Sequence, residues 1–139
     1  MYCKRKNSTN WQFPQGGIDK NEDIFDAALR ELFEEVGIEK NKVKLIKESD
    51  NWYKYDLPKK YKRNSFLWES FKGQKQKWFL FKLIEETKID LNNENNPEFD
   101  EFNWVDYWKP LDEIVDFKRE IYEKVLTELE PAYKSEFSK

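Results

Sequence analysis

Residues 16–38, GGIDKNEDIFDAALRELFEEVGI, constrain this chain more than any other stretch. Residues 23–36 read as a helix, with Gly37 as its C-terminal stop. At about 100° per residue, Glu31, Glu34 and Glu35 fall within one arc of roughly 100°. Phe25, Leu29, Leu32 and Val36 follow a separate stripe at helical spacing and face a core. Three carboxylates so close repel one another and raise each other's pKa. A divalent cation offsets that repulsion, and carboxylate oxygens are hard ligands suited to Mg²⁺ or Mn²⁺. Gly16 and Gly17, directly before the helix, let the backbone come close to a ligand or a metal. An acidic helix face by itself is usually just a solvated face. The fixed spacing of Gly16, Glu22, Arg30, Glu31, Glu34, Glu35 and Gly37 is too extended a pattern for that reading.

The chain contains no histidine. That removes Ser-His-Asp and Cys-His nucleophile systems, H-E-x-x-H zinc sites and any imidazole base. Acid–base chemistry must fall to carboxylates, lysines, tyrosines or metal-bound water, which favours the carboxylate–metal reading independently. At 139 residues the chain is expected to be one domain, 1–139, and its 17 % aromatic content supplies a core despite the polar average. No apolar run approaches the length of a membrane span, and no signal peptide is expected. Cys3 is the single cysteine, which rules out an intrachain disulfide and fits a cytoplasmic location.

The net charge of −3 argues weakly against a nucleic-acid partner, but its distribution argues for one. Between residues 51 and 82 the basic side chains are Lys54, Lys59, Lys60, Lys62, Arg63, Lys72, Lys75, Lys77 and Lys82, against only Asp56 and Glu69. They are interleaved with Trp52, Tyr53, Tyr55, Tyr61, Trp68 and Trp78. Cations hold phosphates and aromatic faces stack on unpaired bases, a combination that suits the 5′ end of single-stranded RNA. Trp78 and Phe79 lie in a strand-like run and are read as core instead.

Elsewhere the pattern predicts a short strand over 1–6, a turn over 7–10, strands over 43–48, 52–57, 77–84 and 102–105, and a helix from Pro110 to about Glu130. Ile114, Ile121, Val125 and Leu129 form the buried stripe of that helix. Pro131 is expected to end it, leaving a frayed tail. Irregular alternation of strands and helices points to an α/β fold with a mixed sheet between helices.

The 16–38 pattern resembles the Nudix box at every signature position. Trp11-Gln12-Phe13-Pro14-Gln15, Gly73-Gln74-Lys75-Gln76-Lys77-Trp78-Phe79, Pro97-Glu98-Phe99-Asp100 and Phe117-Lys118-Arg119 narrow the resemblance to bacterial RNA pyrophosphohydrolases, over roughly residues 2–129. The resemblance implies the Nudix α/β/α sandwich. It implies a divalent metal held by Glu31, Glu34, Glu35 and Glu98, with Glu34 or Glu98 as the base. Arg30, four residues before Glu34, is expected to orient a carboxylate, and Glu22 to pair with Arg30 or another residue rather than bind the first metal. Arg5, Tyr55, Lys75 and Phe117 match positions near the substrate. The expected reaction converts a 5′-triphosphate or 5′-diphosphate RNA end to a monophosphate, initiating mRNA decay. A dinucleoside polyphosphate hydrolase is the alternative, and a non-catalytic RNA-binding module is a third. Relatives carry about 20 residues more before Met1, including a strand; a start lying upstream is therefore expected, with a longer form more stable and more active.

Overall fold

In a computed structural model, residues 1–17, 21–54, 76–93, 97–114 and 116–137 are described, the side chain of Phe117 excepted. Among the described residues the order is two strands, an α-helix, three strands and two α-helices. The strands are β1 (Tyr2–Arg5), β2 (Trp11–Gln12), β3 (Val43–Glu48), β4 (Phe79–Leu83) and β5 (Phe99–Asn103). The helices are α1 (Ile24–Val36), α2 (Lys109–Glu113) and α3 (Asp116–Phe137), and a 3₁₀ turn, Lys40–Lys42, precedes β3. Instead of the mixed sheet expected, the described strands form two antiparallel sheets, in the orders β2-β1-β5 and β3-β4, because no described strand pairs in parallel.

The alternation of side chains along a strand makes the layers legible in β4. Phe79 and Phe81 turn to one face and meet Phe25 of α1, with ring centroids 6.1 and 6.2 Å apart. Trp78, Leu80 and Lys82 turn to the other. Trp78 meets Tyr122 of α3 edge-on at 5.3 Å. Leu80 packs against Ile121, Val125 and Leu129, and Lys82 pairs with Glu136. The β3-β4 sheet, covered by α1 on one face and α3 on the other, has the layering of the expected α/β/α sandwich. β1 repeats the division. Cys3 joins Val36, Ile38 and Phe99 on the α1 side, while Tyr2 packs against Trp11 and Phe13 and lies 3.5 Å from the Pro110 carbonyl.

α1 ends where expected and starts one residue later, and the local sequence explains both ends. Asp23 accepts the amides of Phe25 and Asp26 as N-cap. Gly37 closes the helix at φ +75° and donates to the Phe33 carbonyl.

Three further expectations shift. The strand expected over 102–105 runs instead over Phe99–Asn103, because β1 offers its hydrogen bonds there. The helix expected from Pro110 to Glu130 is interrupted. α2 ends at Glu113, with Ile114 extended at ψ 148°, and α3 begins at Asp116. Pro131 does not end α3: where a frayed tail was expected from 131, the helix continues through Pro131 to Phe137. Tertiary contact sustains that last stretch. Tyr133 packs at a tilt against Tyr107 at 4.4 Å and stacks on Phe137 at 4.9 Å, and Lys82 reaches Glu136 from the sheet. The stripe of Ile114, Ile121, Val125 and Leu129 is buried as expected. Within the region read as a strand over 52–57, Tyr53 makes an isolated antiparallel bridge to Gln76; residues 55–57 lie outside the described residues.

Candidate active site

Arg30 organises the acidic helix. Its Nε and Nη2 donate to the two oxygens of Glu22 at 2.9 and 3.0 Å. Its Nη1 donates to Glu31 at 2.8 Å and to Glu34 at 3.1 Å. Its Nη2 also donates to the Gly17 carbonyl at 2.9 Å. The planar guanidinium has donors enough for all of these at once. The expected pairing with Glu34 and with Glu22 is present, and Arg30 binds Glu31 and the glycine loop as well. Two box carboxylates and the loop before the helix are therefore fixed relative to one cation.

The glycine loop is drawn in closely. A Cβ on Gly16 would lie 2.0 Å from Cδ of Glu31 and 2.1 Å from its Oε2. The close approach expected of this glycine is to a carboxylate side chain, and it leaves no room for a methyl group. A Cβ on Gly17 would meet nothing within 4 Å; its carbonyl is what Arg30 holds.

The box carboxylates differ in setting. Glu34 is the most open, with 40 % of its side chain exposed. Glu31 is more enclosed, and burial foremost raises its pKa. The Arg30 hydrogen bond and charge oppose that rise, while Glu34 and Glu98 add to it. The expected repulsion between carboxylates is present at Glu31, but it ranks behind burial and behind the opposing Arg30 interactions. Glu35 is only 2 % exposed and lies on the interior side. Its charge adds to the burial that, against the Met1 amine, pushes the Cys3 thiol up to about 12. Among the described residues no three acidic groups converge into a ready-made metal cage. The donor chemistry nevertheless fits a divalent cation: Glu31, Glu34 and Glu35 all supply hard oxygens from one helix.

Glu98 enters from the start of β5. Its side chain is exposed, and its carbonyl accepts the Lys6 amide at 2.8 Å. Arg5, also exposed, pairs with Phe99 in the sheet, so Arg5 and Glu98 are brought together although 93 positions separate them. Lys118, not singled out in the sequence beyond its place in the Phe117-Lys118-Arg119 run, completes the group. It is buried and donates to Gln12 Oε1 at 3.2 Å. Burial foremost lowers its pKa to about 8; the charge of Arg5 lowers it further and that of Glu98 raises it.

Of the expected substrate residues, Tyr55, Lys75 and the Phe117 side chain lie outside the described residues. Of the described aromatic residues between 51 and 82, Trp78 is core, as read, with Phe13 and Tyr122 against it. Tyr53 is buried and its hydroxyl donates to Glu128 at 2.6 Å. Trp52 is exposed, with Lys77 Nζ 5.4 Å from its ring centre. Glu128 also accepts from the Asp50 amide and the Asn51 side chain. No spacing rule foretells that contact, because its partners lie more than 70 positions away.

The geometry is that of a helix whose carboxylates are ordered by an internal arginine and backed by a glycine loop. The match to known proteins follows the same lines. Residues 2–125 fit the family model of the NUDIX domain. The chain belongs to the Nudix hydrolase family. It is 45 % identical over 132 residues to an RNA pyrophosphohydrolase of Aliivibrio fischeri, covering 92 % of this chain and 75 % of that one. It is 46 % identical over 129 residues to an RNA pyrophosphohydrolase of Actinobacillus pleuropneumoniae, covering 92 % of this chain and 63 % of that one. In three dimensions it is similar to a Caenorhabditis elegans Ap4A hydrolase in a binary complex, with TM-score 0.64 over 94 % of this chain and 86 % of that chain. That likeness, at 19 % identity, establishes the fold. Nudix hydrolases generally use divalent metal ions. Among the described residues no helix is long and apolar enough to cross a membrane.

Proposed function

We propose that this Nudix hydrolase is an RNA 5′-pyrophosphohydrolase. It hydrolyses the phosphoanhydride of a 5′-triphosphate end to leave a 5′-monophosphate and pyrophosphate, or of a 5′-diphosphate end to leave a monophosphate and phosphate. The observation that carries the reading is the Arg30-ordered carboxylate helix packed on Gly16, in a chain whose relatives at 45–46 % identity bear that activity's name. We place the reaction in the cytoplasm and assign it the first step of mRNA decay.

Glu31, Glu34 and Glu35, with Glu98, are the ligands proposed for Mg²⁺ or Mn²⁺. The bound ion supplies charge screening of the phosphates and acidification of a water. Arg30 keeps Glu31 and Glu34 in place before substrate arrives, so little reorganisation is needed. In the hydrolytic step water gives its hydroxyl to one phosphorus, the bridging oxygen leaves with the other, and a carboxylate takes the proton. Glu98 is the better of the two bases considered, since Glu34 shares its charge with Arg30 at 3.1 Å whereas Glu98 is exposed. Arg5, beside Glu98, is a phosphate or base contact. Tyr55, Lys75 and Phe117 stand as proposed RNA contacts on the family match alone.

The dinucleoside polyphosphate alternative is weaker, because the likeness to Ap4A hydrolase rests on 19 % identity. A non-catalytic role sits poorly with a full set of box carboxylates and an intact Arg30 network. The deciding measurement is kcat/KM on 5′-triphosphate RNA and on diadenosine tetraphosphate at one metal concentration. RNA is expected to exceed the dinucleotide by at least about tenfold, 1.4 kcal/mol in transition-state stabilisation. The reverse ranking overturns the RNA reading, and no turnover of either returns the binding-module reading.

A further inference from the structure

β1 and β5 do not keep one register. Tyr2, Cys3 and Lys4 pair with Asn103, Phe102 and Glu101, but Arg5 pairs with Phe99. Asp100 is therefore the extra residue of a β-bulge, a device that re-aims the chain at sheet edges and beside active sites. Its carboxylate is held from two directions. Lys4 Nζ lies 2.7 Å from Asp100 Oδ1 and also donates to the Ser8 carbonyl at 3.0 Å. The Asn7 amide donates to the same carboxylate, and Asn7 sits in the β1–β2 turn at φ +60°. One carboxylate thus ties the end of β1, the turn after it and the bulge. Immediately beyond, the Lys6 amide takes the Glu98 carbonyl at 2.8 Å, which is where Glu98 leaves the sheet toward Arg5 and Lys118.

The pair itself is a poor stability device. Lys4 and Asp100 side chains are 19 % and 39 % exposed, and ion pairs so placed contribute little. Its consequence for register is larger. Sliding β5 by one residue inverts its faces: Phe99, 1 % exposed and in the core with Val36, would exchange sides with Glu98. We propose that Lys4 and Asp100 are positioning residues that lock this bulge and thereby aim Glu98 at the carboxylate helix. The inference rests on the reading of Glu98 as a base in the hydrolysis of 5′-triphosphate RNA.

Kinetics on 5′-triphosphate RNA with saturating Mg²⁺ test it, using Lys4→Met, Asp100→Ala, Glu98→Gln and the double variant Asp100→Ala/Glu98→Gln. Lys4→Met and Asp100→Ala are each expected to lower kcat about tenfold with KM changed less than about twofold, the pattern of a misplaced group rather than lost binding. In the Glu98→Gln background, Asp100→Ala is expected to cause no further loss, because residues acting through one group are not additive. A full second loss in the double variant, or unchanged kcat in both single positioning variants, overturns the proposal. If Asp100→Ala does not fold, Lys4→Met carries the same cycle. Full kcat in Glu98→Gln overturns the reading of Glu98 and this proposal with it. A loss in Glu98→Gln with none in Lys4→Met and Asp100→Ala overturns this proposal alone.

Discussion

Gly16 and Lys118 each turn a local fact into a measurable expectation. The space a side chain would need at Gly16 is filled by Glu31, whose Cδ would sit 2.0 Å from the new Cβ. Gly16→Ala must displace Glu31 from Arg30, and kcat is expected to fall by about 10–100-fold, as for other changes that misorient a ligand. Circular dichroism should show α1 retained, and an unchanged kcat would mean the loop moves aside at no cost. Lys118 is a buried amine whose pKa falls to about 8 from 10.5. Between those values the unfolded chain keeps a proton that the folded chain releases, so stability rises with pH across the window. Below about 8 both states are protonated and the fold carries the full cost of the buried charge. Lys118→Met is therefore expected to gain most over the unsubstituted chain below pH 8, with the gain shrinking toward 10.5. Urea melts of both proteins across that range check it; a difference independent of pH would show that Lys118 is not desolvated.

The α3 helix departs furthest from local rules. Pro131 has no amide proton and disfavours a helix interior, yet α3 runs on to Phe137. Packing of Tyr133 between Tyr107 and Phe137 and the Lys82–Glu136 pair outweigh the proline. Pro131→Ala is expected to stabilise the protein by about 1–3 kcal/mol, since a helical hydrogen bond returns and a clash is lost. A melting temperature that falls would mean the proline shapes a bend the packing requires. The α1 helix is the opposite case: Asp23, the apolar stripe and Gly37 all agree, and the observed helix differs from the expected one by a single residue at its start.

At the scale of the whole molecule, α1 faces two ways. Its apolar stripe lies on the sheet, and Glu35 follows that stripe inward while Glu31 and Glu34 stay with Arg30. A buried carboxylate is costly by itself and gains most from a cation. Mg²⁺ or Mn²⁺ is expected to raise the melting temperature of the unsubstituted chain by mass action. Glu35→Gln is expected to lose that rise and at least about 10² in kcat while melting no lower without metal. A cation-dependent rise that survives in Glu35→Gln would remove Glu35 from the ligand set.

The sequence by itself determined the family, the α1 helix with both its ends, the layered α/β class and the carboxylates that Arg30 orders. Each of these is written within one turn or one short run, where spacing fixes geometry: Arg30 and Glu34 are neighbours on any helix that contains them. Tertiary structure alone decided how far Glu35 turns inward, that Gly16 abuts Glu31, that Pro131 lies inside a helix, and that Asp100 forms a bulge against Lys4. It also brought Arg5, Glu98 and Lys118 together from three separate elements. Those arrangements depend on register and on packing between residues tens of positions apart, where helical and strand periodicity carry no information about distance.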